Sequence, residues 1–114
     1  MARRVEERVG YVLKQVQQAL RAAMDEALRR RGLTTAQYAT LSILEAEAGL
    51  SGAELARRCF VTPQTMNEIV ARLEADGLVE RRRGDDARVL RAYLTAAGQD
   101  LVGACHQTVG VIEE

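Results

Sequence analysis

Two short helices with strong start and stop signals, separated by only a few residues, constrain this chain most. Ser51 and Glu54 have the spacing of a capping box, which predicts that a helix starts here. Thr62 followed by Pro63 predicts a second start, because proline at the first helical position has no N–H to leave unbonded. Gly77 is the glycine expected just after that helix. Two capped helices this close must turn sharply against each other, as in a helix-turn-helix.

The second of these helices has an apolar face and a polar face. Apolar side chains recur at helical spacing and should pack inward: Met66, Ile69, Val70 and Leu73. The opposite face carries Gln64, Asn67, Glu68, Ala71 and Arg72. These side chains can recognise base edges, since amides pair with adenine, carboxylates accept from cytosine and arginine pairs with guanine. The alternative is an ordinary solvated face with an ion pair between Glu68 and Arg72, four residues apart.

The N-terminal turn of the same helix carries no carboxylate. Thr62, Gln64 and Thr65 are its polar residues. The positive end of a helix dipole without acidic neighbours can receive a phosphate, and a DNA phosphate is the one expected here.

The residues after Gly77 predict two strands joined by a turn. The runs VERRR and RVLRAYL flank the turn formers Gly84 and Asp85. In the second run Leu90, Ala92 and Leu94 alternate with polar residues, which is typical of a half-buried strand. Arginines crowd this hairpin: Arg81, Arg82, Arg83, Arg88 and Arg91. A guanidinium at such a tip can enter the DNA minor groove or pair with phosphate, although charge of this kind can also serve only solubility.

The stretch from Leu33 to Gly98 resembles the winged helix-turn-helix of the MarR family of bacterial transcription regulators. The resemblance rests on GLVERRR leading into the hairpin, on Asp86-Ala87-Arg88 near its tip, and on LTAAG after the second strand. It implies that residues 62–76 form the recognition helix and that the hairpin is the wing. It also implies that Arg88 enters the minor groove and that Asp86 holds it. The wing is about one residue shorter than the common form of the family.

On this basis the expected fold is mainly α with a small antiparallel β wing, flanked by N- and C-terminal dimerisation helices. The candidate DNA-binding residues are Ser51, Thr62, Pro63, Gln64, Thr65, Asn67, Glu68, Arg72, Arg83, Asp86 and Arg88. The resemblance also implies a small aromatic or phenolic effector. Its candidate lining residues are Tyr11, Met24 and Tyr38, which could equally be core side chains.

The flanking segments predict further helices within a single domain of residues 1–114. Residues 5–31 form a long amphipathic helix, with apolar residues three and four apart: Val5, Val9, Val12, Val16, Leu20, Met24 and Leu28. Thr34 and Gln37 form another capping box, beginning a helix that continues to Gly49 within the winged unit of residues 33–94. The last helix spans residues 95–114 after Thr95, carries Leu101, Val102, Val109 and Ile112, and appears truncated relative to the family.

In the family the outer helices interleave with those of a second subunit, which implies a homodimer on an inverted repeat. The alternative is that the two terminal helices pack on each other within one chain.

Composition limits the other classes of function. The 16 basic and 16 acidic residues cancel, so attraction to DNA must come from a local patch such as the wing. One histidine and two cysteines without close spacing do not predict a zinc site, and no cofactor is expected. Cys59 is expected to be a small buried residue. In MarR-like regulators that sense oxidants the thiol usually lies in the first helix, and neither cysteine lies there, so the resemblance does not favour oxidant sensing. No apolar run could span a membrane and no signal peptide is visible, which predicts a cytoplasmic protein.

The sequence therefore predicts a regulator and not an enzyme, since no catalytic constellation is present. The expected function is a dimeric, sequence-specific repressor of transcription, released from double-stranded DNA by a small aromatic or phenolic effector. Two alternatives stay open: a winged helix used for protein–protein contact, and a DNA-binding module without effector control.

Overall fold

The structure is a computed structural model that describes residues 2–113, with side chains described for residues 3–108 and 110. It confirms a mainly helical fold with a small antiparallel sheet. The helices are α1 (Ala2–Arg30), α2 (Thr35–Ala46), α3 (Gly52–Cys59), α4 (Pro63–Ala75) and α5 (Ala96–Glu113). The strands are β1 (Leu50–Ser51), β2 (Val79–Arg83) and β3 (Leu90–Leu94). The predicted apolar positions Val109 and Ile112 lie outside the described side chains.

The sheet contains one strand more than the sequence predicted. Its order is β1-β3-β2, and both pairs are antiparallel. In the wing Val79 pairs with Leu94 and Arg83 with Leu90. The added strand places Leu50 opposite Ala92, and its two residues are too few to show any alternation. It anchors the base of the wing to the start of α3.

The predicted caps are confirmed. Thr34 with Gln37, and Ser51 with Glu54, form complete capping boxes, and the Thr62 side chain accepts from the Thr65 N–H. Gly77 has a φ of 75°. The N–H of Leu78 bonds to the Leu73 carbonyl at 2.9 Å and that of Gly77 to the Glu74 carbonyl at 3.0 Å, which is the Schellman arrangement. Local signals thus set where α2, α3 and α4 begin and where α4 ends.

Three details of the prediction are wrong. The helix that begins after Thr34, α2, ends at Ala46 and not at Gly49. The chain turns there to bring β1 beside β3, and the Gly49 N–H bonds to the Ala92 carbonyl. Cys59 is half-buried at the edge of the core and not fully buried. Leu90 remains 40% exposed, since it lies at the far end of β3 opposite Arg83, where no helix covers it.

The turn between α3 and α4 is made by Phe60, which caps α3 in the left-handed conformation with a φ of 57°. Its side chain is 94% exposed. A left-handed residue ends a helix sharply, and the position usually carries glycine because a Cβ is unfavourable there. The chain therefore makes the helix-turn-helix corner at some conformational cost.

The core lies around α2, which packs against α3, α4, α5 and the end of α1. Its fully buried members include Leu28, Leu41, Leu44, Leu55, Met66, Leu73, Val102 and Cys105. The first two-thirds of α1 extend beyond this core, and all residues from Arg3 to Ala23 are exposed. Within residues 2–113, no helix is long and apolar enough to cross a membrane.

A tight joint connects α5 to the end of α4. The Thr95 hydroxyl donates to the Gly77 carbonyl at 2.7 Å, and the Thr95 N–H donates to the Leu78 carbonyl at 3.1 Å. Gly98 then lies against this carbonyl so closely that a Cβ would overlap the Leu78 oxygen. Only glycine allows α5 to approach the chain at this distance.

Candidate nucleic-acid interface and effector groove

The recognition helix α4 presents the two faces that its sequence predicts. Met66, Val70 and Leu73 are buried, and Ile69 is half-buried against the core. The predicted DNA-reading side chains are all exposed: Gln64, Asn67, Glu68 and Arg72. The predicted ion pair between Glu68 and Arg72 does not form, because the Arg72 Nε lies 3.2 Å from an Asp76 carboxylate oxygen instead. The polar face therefore keeps Glu68 apart from the arginine.

The start of α4 is held by its own side chains. The Thr62 Oγ1 accepts from the Thr65 N–H at 3.1 Å and donates to the Thr65 hydroxyl at 3.0 Å. Pro63 occupies the first turn, which has no acidic residue. This end of the helix keeps its positive dipole, as an anion-binding end requires.

Ser51 has a structural role at the neighbouring helix start. Its hydroxyl donates to the Glu54 carboxylate at 2.9 Å, and its backbone N–H donates at 3.3 Å. These two bonds hold the pKa of the Glu54 carboxyl below its ordinary value. Arg91 adds a contact at 3.7 Å and donates to the Gly49 carbonyl at 2.9 Å. Arg91 thus ties the wing to α3 and is not at the wing tip.

The wing tip carries the exposed Arg88. Its side chain is 90% exposed, and its Nε lies 3.3 Å from Asp86 Oδ1, which also accepts the Arg88 N–H at 3.1 Å. Arg83 bonds to the Ala87 carbonyl and so closes the turn. The geometry brings Asp86 and Arg88 together, which is the pairing that the family resemblance implies.

Arg81 is a residue whose position the sequence analysis did not predict. Its side chain points toward α4, where it bonds to Glu74 at 3.2 Å and to the Asn67 Oδ1 at 3.1 Å. Only 23% of this side chain is exposed. Strand alternation could have indicated it, because Arg81 lies two residues after the buried Val79 and therefore on the same face of β2.

The recognition helix and the wing share a groove of about 430 Å³. It is lined by residues from α3, α4 and the wing, among them Ser51, Pro63, Asn67, Arg81, Arg88 and Leu90. The fold therefore brings together, on one surface, residues that lie up to 41 positions apart in the sequence, from Ser51 to Ala92.

A second groove, of about 570 Å³, lies between α1, α2 and α5. Met24 and Tyr38, two of the candidate effector residues, line it together with Thr35, Ala39, Ser42, Ile43, His106 and Gly110. Tyr11 is not part of it; it lies 64% exposed on the outer part of α1, where its hydroxyl accepts from Gln15. The structure thus joins two of the three candidates and separates the third.

His106 is a polar residue of this groove that the sequence did not assign. Its Nδ1 lies 2.6 Å from the Tyr38 hydroxyl, and its Nε2 lies 2.7 Å from Glu45. The Tyr38 and His106 rings meet edge to face at 5.5 Å. Ser42 Oγ is buried and makes no hydrogen bond within the described part of the chain. Among the described residues no group of His, Cys, Asp and Glu could hold a metal ion.

Comparison with known proteins identifies the family. A model described as the MarR family matches residues 31–89. The HTH-type transcriptional repressor Rv2887 of Mycobacterium tuberculosis is 43% identical over 94 residues, which cover 82% of this chain and 68% of the relative. The crystal structure of Rv2887 in complex with DNA gives a TM-score of 0.78 at 36% identity, covering 91% of this chain and 78% of that chain.

The crystal structure of Rv2887 in complex with salicylic acid gives a TM-score of 0.72 at 39% identity, and the match covers 91% of this chain and 78% of that chain. The family model spans more than half of the chain, and it includes α4 and the wing tip. The chain therefore belongs to the MarR family.

Proposed function

We propose that this protein is a sequence-specific DNA-binding repressor of transcription. The observation that carries the proposal is the shared surface of α4 and the wing, on which Asn67 and the 90% exposed Arg88 line one groove. A helix that presents amides and an arginine can enter the major groove while a wing arginine contacts the minor groove or phosphate. The complex of Rv2887 with DNA supports the same role here.

Charge distribution is consistent with selective binding. The chain has no net charge, so its affinity for DNA must come from the local cations of the wing and from the α4 N-terminus. In this proposal the protein is a regulator and not an enzyme. It acts in the bacterial cytoplasm, where the chromosome lies. The groove residues Pro63, Asn67 and Arg88 are binding groups for DNA edges and phosphates in this proposal.

The protein acts as a homodimer on an inverted repeat in this proposal, with residues 5–31 as the dimerisation helix and residues 95–114 contributing. Five aliphatic side chains form an apolar stripe along the outer part of α1 and are 44–61% exposed: Val5, Val9, Val12, Val16 and Leu20. A stripe this long normally packs against another helix. A dimer then places two recognition helices at successive major grooves.

The effector site in this proposal is the groove of Met24, Tyr38 and His106. Its volume of about 570 Å³ lies within the usual range for small-molecule sites. Its apolar and aromatic walls suit an aromatic ring, and Ser42, whose buried hydroxyl has no hydrogen-bond partner within the described residues, lines it. The complex of Rv2887 with salicylic acid supports an aromatic acid as the ligand class.

Selection of binding sites from a randomised duplex library, at low and near-physiological salt, tests the DNA-binding function. We expect an inverted repeat with half-sites about one helical turn apart. The Gln64→Ala variant should lose preference at one base pair per half-site, by about 1–3 kcal/mol if the amide contact is bidentate. No enrichment at either salt would reject the proposal and favour a protein–protein role for the winged helix.

Titration of the protein–DNA complex with salicylic acid tests effector control. We expect release of DNA by salicylic acid and none by cyclohexanecarboxylic acid, a non-aromatic acid of similar size. Ser42→Leu should fill the groove and abolish the response while DNA binding persists. Tyr11→Ala, outside the groove, is the matched control and should respond as wild type does. DNA affinity that ignores salicylic acid would instead indicate a constitutive DNA-binding protein.

A further inference from the structure

Arg81 connects the wing to the DNA-reading face of α4. It extends from β2 and forms an ion pair with Glu74, which lies about two turns along α4 from Asn67. Its Nη1 donates to the Asn67 Oδ1 at 3.1 Å. Its side chain is mostly covered, whereas Asn67 is exposed and lines the groove beside the wing. Glu74 therefore holds the Arg81 guanidinium in place, and Arg81 in turn fixes the exposed amide of Asn67.

The chemistry of this contact sets which end of the Asn67 amide faces outward. Arginine has only donors, so it must meet the amide oxygen and not the NH₂ group. The Arg81 bond occupies one of the two lone pairs of this oxygen and turns it toward β2, so that Asn67 directs its NH₂ donors to an approaching base. Pairing with adenine requires both ends of an amide, because adenine offers N7 as acceptor and its 6-amino group as donor.

The major-groove edge of guanine suits a hydrogen-bond donor better than that of adenine does. Its N7 and O6 are both acceptors. The guanidinium of Arg81 lies behind the amide, and its positive charge favours the O6 of guanine over the amino group of adenine. Both the hydrogen-bond pattern and the charge thus act in the same direction.

We propose that Arg81 positions Asn67 with its NH₂ donors toward the DNA, so that it selects a guanine over an adenine at one base pair of each half-site. This inference rests on the proposed DNA-binding function. It replaces the expectation that Asn67 pairs with adenine. Arg81 is a positioning residue in this scheme, and Asn67 is the residue that contacts the base.

The test is binding-site selection with wild type and four variants of the full chain. Asn67→Ala identifies the base pair that this residue reads, because preference should disappear there alone. Wild type should prefer G·C over A·T at that pair by about tenfold. Arg81→Met keeps the apolar stem but removes the donors, so the freed amide should pair with adenine through both of its ends. The ratio of affinities for G·C and A·T should then fall to near one or reverse. Arg81→Lys, which retains a donor, should restore part of it.

Glu74→Gln is the matched control, since it weakens the support of Arg81 but leaves the Arg81–Asn67 contact possible. It should keep the G·C preference, and thermal melting of each variant verifies folding. An A·T preference in wild type at the Asn67-dependent pair would overturn the inference while leaving the proposed function intact. An unchanged G·C preference in Arg81→Met would overturn it too. A wild-type protein that enriches no duplex would overturn the proposed function and this inference with it.

Discussion

Each arginine of the wing has different neighbours, and these neighbours determine what it is available to contact. Arg81 and Arg91 are directed back to α4 and α3, and Arg82 stacks over the Tyr93 ring at 4.0 Å. Arg88 contacts only Asp86 among the described residues and is 90% exposed. Arg83 bonds to the Ala87 carbonyl, so the five arginines that look equivalent in the sequence divide into four that bond or stack within the fold and one, Arg88, that is exposed at the tip and paired with the nearby Asp86.

Arg88→Ala should weaken DNA binding and reduce the slope of log affinity against log salt by about one, because one cation that displaces a counterion is lost. Binding isotherms between about 50 and 200 mM salt measure both quantities. Arg29→Ala removes the same charge from α1, outside the wing and the recognition helix, and should leave the slope unchanged. Equal slopes for wild type and Arg88→Ala would contradict the assigned role of the tip arginine.

The two cysteines should differ in reactivity. Cys105 is fully buried and burial raises the pKa of its thiol, whereas Cys59 is half-buried. Because the thiolate is the reactive form, we expect a thiol reagent at about pH 8 to modify Cys59 first and Cys105 only on unfolding. Mass spectrometry after partial modification, with Cys59→Ser as the control, measures the order. Modification of Cys105 at a comparable rate would contradict the packing of α5.

Elements were predictable where a local signal was strong. The capping boxes at Thr34 and Ser51, the Thr62-Pro63 start and the Gly77 end are chemistry of adjacent residues, so a single sequence displays them. β1 and the inward direction of Arg81 depend instead on partners distant in the chain, such as Ala92 and Glu74. The same holds for His106, which meets Tyr38 across 68 residues and only after α5 has docked.

Gly98→Ala should destabilise the fold by about 1–3 kcal/mol, because its methyl group would overlap the Leu78 carbonyl and force α5 away. The free energy of unfolding in urea is the measurement. Gly103→Ala in the same helix has open space at its Cβ and should stabilise the protein by up to about 1 kcal/mol, as expected for alanine in a helix. A neutral Gly98→Ala would show that the joint between α5 and Leu78 is looser than described.

At the scale of the whole molecule, the single chain leaves an apolar surface on α1 exposed to solvent. Its core ends near Met24, while α1 continues outward and gives the molecule a length of 63 Å against 26 and 20 Å in the other directions. The apolar stripe on this extension is the part of the fold that a second subunit would complete. Sequence periodicity predicted the stripe, and the resemblance alone supplied the partner.

Val12→Lys should shift the protein from dimer to monomer, since burying a lysine in the stripe replaces roughly 1.5–3 kcal/mol of favourable burial per subunit with a cost. Sedimentation equilibrium over a range of concentrations measures the change. Gln18→Lys, on the opposite face of the same helix, is the matched control and should leave the association constant unchanged. An unaffected dimer in Val12→Lys would place the interface elsewhere.

The joint at Gly98 also has a mechanical meaning. From Gly98 to His106, α5 is a rigid rod of about 12 Å, with the groove at one end and the end of the recognition helix at the other. Because no space separates Gly98 from the Leu78 carbonyl, α5 cannot move closer to Leu78 at this contact. We expect an effector that displaces the His106 end of α5 to move the Leu78 backbone just after the C-terminal end of α4, and so to change the position of the recognition helix.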